Sequence, residues 1–106
     1  MFGCPPLPST TVVAAGTTQL TATVLSFLAN TLINSGGGGG VILTVDPATW
    51  NGVRPIFTNE SGGEVTVYLR VGASFYGQAV NTGVTLQNTQ SMSLSVSQSG
   101  AVLVQN

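Results

Sequence analysis

Glu64–Val71, EVTVYLRV, decides the fold class. Val65, Val67, Leu69 and Val71 alternate with Glu64, Thr66, Tyr68 and Arg70. A strand puts the first set on one face and the second on the other, whereas a helix would scatter both around its axis. Gly72 closes the run, and Asn59-Glu60-Ser61-Gly62-Gly63 before it reads as a hairpin loop. Val53–Thr58 is the strand on the other side of that loop, and Pro55 within it implies an edge position or an early bend.

The same punctuation continues downstream. Phe75–Val80 reads as a strand, Asn81-Thr82-Gly83 as a turn, and Val84 and Leu86 as the inward positions of another strand. After Gln87-Asn88-Thr89, Met92, Leu94 and Val96 alternate strictly with Ser91, Ser93, Ser95 and Ser97. Ser99-Gly100 turns into a last strand, Ala101-Val102-Leu103-Val104. Upstream, Val41–Val45 is a buried strand ended by Asp46-Pro47, and Gly36–Gly40 reads as a flexible loop, since five glycines bring no side chains to pack and the largest backbone entropy. A phosphate-cradling loop would need Lys-Ser or Lys-Thr and a helix after the glycines; Val41-Ile42-Leu43 follows instead.

Between residues 10 and 33 the pattern is less uniform. Leu20, Ala22 and Val24 alternate with Thr21 and Thr23 after a turn at Ala15-Gly16, the period of a half-buried strand. Leu25, Leu28, Ala29 and Leu32 also fit helical spacing, so a short helix stays open there. Residues 1–9, MFGCPPLPS, hold three of the five prolines and read as an extended arm. Pro5, Pro6 and Pro8 stiffen it, and Phe2 and Leu7 supply apolar anchors for a neighbouring subunit, with a frayed terminus as the plainer reading. Turns recurring roughly every eight to twelve residues predict an all-β fold: an antiparallel β-sandwich of jelly-roll type with about eight short strands. The arm covers residues 1–9 and a single domain residues 10–106.

Charge excludes several function classes. Among 106 residues only Asp46, Arg54, Glu60, Glu64 and Arg70 are charged, 5% against about 25% in an average soluble domain. Solubility falls to ten Ser, fourteen Thr, seven Asn and six Gln. Two arginines are too few for the basic footprint that nucleic acid or an anionic membrane requires. Val24–Ile33, the longest apolar stretch, is broken by Ser26, Asn30 and Thr31 and falls far short of the ~20 residues of a membrane span. We expect a soluble chain without an export signal. Cys4 is the lone cysteine, so neither an intrachain disulfide nor a cysteine metal cluster is available. With no His and no Lys, no imidazole base, His metal ligand or Schiff-base amine exists. Glu60 and Glu64 flank one turn, but a pair of solvated acids there is the simpler reading than a glycosidase pair. We expect no catalysis, no cofactor and no metal.

Three aromatic or cationic side chains are candidates for partner contact. Tyr68 and Arg70 lie two residues apart on the polar face of the 64–71 strand, the composition of an interface hot spot or of an ordinary sheet face. Trp50, in the loop after Pro47, either caps an end of the sandwich or meets a partner or a sugar.

The C-terminal half resembles a known group. Phe57-Thr58-Asn59, the hairpin into VTVYL (65–69), Gly83-Val84-Thr85-Leu86, SMSLSV (91–96) and Gly100-Ala101-Val102-Leu103 are similar to segments of small β-sandwich virion proteins of tailed bacteriophages, especially capsid decoration or cement proteins. Residues 1–56 carry no such resemblance. It implies a structural protein on the outer capsid surface, made in the host cytoplasm, homo-oligomeric with a trimer favoured. The partner it implies is the major capsid protein, whose shell it would stabilise. A head-fibre base, a head–tail joining or tail module, and a carbohydrate-binding or adhesive sandwich are the alternatives. A Thr-rich ice-binding surface is more remote, because no long Thr-x-Thr register exists.

Overall fold

Val65, Val67 and Leu69 do point together into a core, and they sit in the sixth of the nine strands among the described residues. The computed structural model describes residues 9–105. The strands are β1 Ser9–Val13, β2 Thr23–Leu25, β3 Asn30–Ser35, β4 Gly40–Leu43, β5 Ile56–Asn59, β6 Val65–Leu69, β7 Val84–Leu86, β8 Ser91–Val96 and β9 Val102–Gln105. A 3₁₀ turn, Pro47–Thr49, lies between β4 and β5, capped by Asp46 Oδ1, which accepts from the Ala48 N–H at 3.1 Å. The strands form a five-stranded sheet, β1-β3-β5-β8-β9, and a four-stranded sheet, β2-β4-β6-β7. Ile33, Phe57, Met92, Leu94 and Val102 from the first pack with Leu25, Val41, Leu43, Val65, Val67, Leu69 and Leu86 from the second.

The all-β expectation holds; the antiparallel jelly-roll does not describe the connectivity. Up to β6 the chain alternates between the sheets, so each strand pairs with the one two places later. β1–β3, β3–β5, β2–β4 and β4–β6 are parallel, and only β5–β8, β6–β7 and β8–β9 are antiparallel. Parallel neighbours need a long crossover. Here the crossover is a strand of the opposite sheet, and β1–β6 form three turns of a flattened coil. β7–β9 then close it with antiparallel returns.

This topology corrects several local expectations. Asn59–Gly63 is not a hairpin loop: it carries the chain from the five-stranded sheet into the four-stranded one. Asn59 is fully buried and holds that arch from within. Its Nδ2 donates to the carbonyls of Gly63 and Leu86, both at 2.8 Å, and its Oδ1 accepts from the Ser61 N–H at 2.9 Å. Pro55 precedes β5, which lies in the middle of its sheet rather than at an edge. Residues 75–80 form no strand; Phe75 makes a single bridge to Val102 and the chain then turns. No helix spans 25–32. β2 ends at Leu25 and β3 begins at Asn30, because the next coil needs a corner there. Residues 20–22 are turn rather than strand, and Leu20 and Val24 are 82% and 63% exposed while Ala22 and Leu25 are buried, so no common apolar face runs through 20–24. Val71 lies beyond the end of β6 and is exposed.

Gly36–Gly40 is not a free loop but a packed corner. Gly38 N–H donates to the Glu64 carbonyl at 2.7 Å, Thr66 N–H to the Gly39 carbonyl at 3.1 Å, and Ala15 and Gly40 exchange both backbone bonds at 3.1 Å. The run therefore joins the first coil on one side to the third on the other. A Cβ on Gly37 would lie 2.7 Å from the Gly63 nitrogen, and one on Gly39 2.8 Å from the Ala15 Cα. Gly36 and Gly38 also have φ of +89° and +92°, where a side chain is strained. Glycine is needed here for close backbone approach as well as for turning.

Candidate functional site

The expected contact residues occupy very different places. Trp50 follows the 3₁₀ turn and is folded inward, 1% exposed, with Nε1 donating to the Val45 carbonyl at 3.2 Å. Its ring is part of the core and cannot meet a partner or stack on a sugar. The sequence signal that places it there is the Asp46-Pro47 cap, which starts a tight turn and brings the indole back over the core. Phe2, Pro5, Pro6, Leu7 and Pro8 lie outside the described residues, as does Cys4.

Tyr68 and Arg70 share the outer face of the four-stranded sheet. Register sets Tyr68 opposite Ile42 and Thr66 opposite Gly40. Its ring fills the space that side chains at two glycines would occupy: a Cβ on Gly83 would lie 2.8 Å from Cδ1 and one on Gly40 3.0 Å from Cε2. Tyr68 is thereby half-buried, a lid over its own sheet more than an anchor held out to a partner. Arg70 Nη1 donates to the Val71 carbonyl at 3.1 Å, and Nε lies 3.4 Å from Asp46 Oδ1 without hydrogen-bond geometry. This partly exposed ion pair adds at most about 1 kcal/mol. It lines a shallow cleft of about 410 Å³ with Pro47, Gly72, Ser74 and Gly100. Glu64 Oε2 accepts from Gln87 Nε2 at 2.7 Å, so one of the two acids at the 59–64 arch is already tied to an amide.

The outer face of the five-stranded sheet is the surface that sequence reasoning missed. Register lines up Thr11, Leu32 and Thr58, with Ser91 next across the sheet, and places Ile56 against Ser93 and Ser93 against Gln105. Thr58 Oγ1 and Ser91 Oγ are hydrogen-bonded at 2.9 Å, and Asn30 Oδ1 accepts from the Ile56 N–H at 3.3 Å. Leu32 stands in the first of these rows and Ile56 in the second, each among hydroxyls and amides, and both line a groove of about 380 Å³ with Ser9, Thr11, Asn30 and Thr58. No strand of this sheet contributes a charged residue. Arg54 alone reaches its margin, donating from Nη2 to Gln105 Oε1 at 2.9 Å. Each strand shows its alternation in sequence, but β1, β3 and β5 become neighbours only through parallel pairing. The face is thus made of hydroxyls, amides and aliphatic side chains, with Val13 on β1 and Leu103 on β9 added toward its two edges.

No family model, curated protein or solved structure matches the chain.

Proposed function

We propose that this chain is a non-enzymatic structural protein of a tailed-bacteriophage virion, a capsid decoration or cement protein that lies on the outer shell and stabilises it. The observation that carries this reading is the uncharged outer face of the five-stranded sheet, which offers Leu32 and Ile56 among Thr and Ser hydroxyls over five strands. A face without charge has no desolvation penalty of buried ions to overcome when it docks. The resemblance to decoration proteins supports the same reading and falls on residues 57–103. That stretch contains β6–β8, most of β5 and half of β9, the strands of all three antiparallel ladders. We assign the likeness to a jelly-roll sandwich to this half alone.

The test is cosedimentation of the purified chain with capsids assembled from the major capsid protein of the same genome. Retention at a fixed ratio, lost in the double variant Ile56→Asp, Thr58→Asp, is the expected result. A chain that stays in the supernatant, or a variant retained as well as the parent, overturns the reading.

A further inference from the structure

The first coil leaves two strand edges open at the same end of the molecule. β1 pairs with β3 and β2 with β4; among the described residues neither has a strand on its other side. Exposed strand edges are templates for another chain, and proteins usually blunt them with charges, prolines or a covering loop. β1, STTVV, and β2, TVL, contain neither charge nor proline. Three of the exposed large apolar side chains, Val13, Val24 and Phe27, lie in or beside these two strands, and the core reaches the same end through half-buried Val12 and Leu28. Coil stacks ordinarily finish in a polar cap, because a bare terminal repeat exposes the core.

We infer that this edge is the surface through which two copies of the chain associate, first coil against first coil. A two-fold contact sets one patch against itself, so every charge near the axis meets its like. The first coil has none: the earliest charged residue in the chain is Asp46. A strand edge is also complementary to a strand edge, since β1 of one copy supplies the backbone groups that β1 of the other lacks. Net charge of −1 adds no long-range repulsion between copies. This inference does not rest on the virion reading and is tested with the purified full chain alone.

Sedimentation equilibrium over a micromolar range measures the assembly. The expected result is a dimer whose association weakens at least tenfold in Val24→Lys and in Val13→Lys. Both positions are exposed, so circular dichroism and thermal unfolding measured at monomeric dilution stay as in the parent. Tyr76→Lys, equally exposed but beside the β9 edge, leaves the dimer intact. A monomer, a trimer, or a dimer indifferent to Val13 and Val24 overturns the inference, as does a dimer that Tyr76→Lys weakens to the same extent. A full chain that is monomeric and associates only after removal of residues 1–8 also overturns it, by putting the chain's own N-terminus on the edge.

Discussion

At the β9 edge the chain folds back on itself, whereas the described part of the β1 edge has no strand beyond β3 and only the Thr23 hydroxyl bonded to its last carbonyl, at 2.6 Å. Val102 N–H donates to the Ser74 carbonyl at 3.1 Å and Tyr76 N–H to the Val102 carbonyl at 2.8 Å, so the single bridge at Phe75 covers the start of the β9 edge. Arg54 adds a side-chain bond at 2.9 Å to Gln105 of β9. The first coil has a smaller share of the core: Val12 and Leu28 are half-buried, while Leu94 and Val102 are fully buried. One end is closed by antiparallel returns and a covering loop; the other displays the cross-section of a parallel stack. In such a stack each coil leans on its neighbours, so stability falls toward an end with a neighbour on one side only.

The largest expected effect lies in the closed half. Leu94→Ala should cost about 2–5 kcal/mol, the range for a buried leucine, and Leu28→Ala in the open coil clearly less. Urea unfolding of the two variants measures the gap; equal losses would mean that the first coil is as well covered as the last. Asn59→Ala should follow at roughly 1–3 kcal/mol, because the Gly63 and Leu86 carbonyls and the Ser61 N–H lose their partner inside the core. Gly39→Ala should cost about 1–3 kcal/mol through overpacking against Ala15, loosening the first coil from the second. Thermal unfolding with hydrogen exchange on β1 separates a local loss from a global one. The smallest effect needs no substitution. At monomeric dilution, amides of β1 should exchange through local opening, faster than those of β5, β6 and β8, whose release tracks global unfolding. Uniform protection would remove the distinction between the ends.

Strands with one buried face were readable because alternation is local. Val65-Thr66-Val67-Tyr68-Leu69 and Met92-Ser93-Leu94 carry their inward and outward sides within a few residues, and both lie as expected. Partnership between strands was not local. A hairpin and an arch use the same Gly, Asn and Ser punctuation, and Asn59-Glu60-Ser61-Gly62-Gly63 fits either. The arch is marked by a buried asparagine bonded to Ser61 and Gly63 within the arch and to the Leu86 carbonyl of β7, which only the fold displays. The coils also differ in length, with Ser9 beside Asn30 but Thr31 beside Phe57, so no internal repeat announces them. For Trp50 the capping and contact readings both stay open in sequence, because loop position says nothing about which way a side chain turns; the fold takes it inward. The neutral face of the five-stranded sheet went unseen because its members are far apart in sequence.

The glycine corner has a consequence for how this chain tolerates mutation. Any single-base change of a glycine codon that alters the amino acid adds at least a Cβ or ends the chain. At Gly37 and Gly39 that carbon runs into backbone of the neighbouring coils, at Gly36 into the Ala14 carbonyl, and at Gly40 against Tyr68. Gly38 has open space but a left-handed backbone. A stretch that reads as a featureless spacer is thus among the least substitutable in the chain, and a library of variants should be depleted there as sharply as in the core.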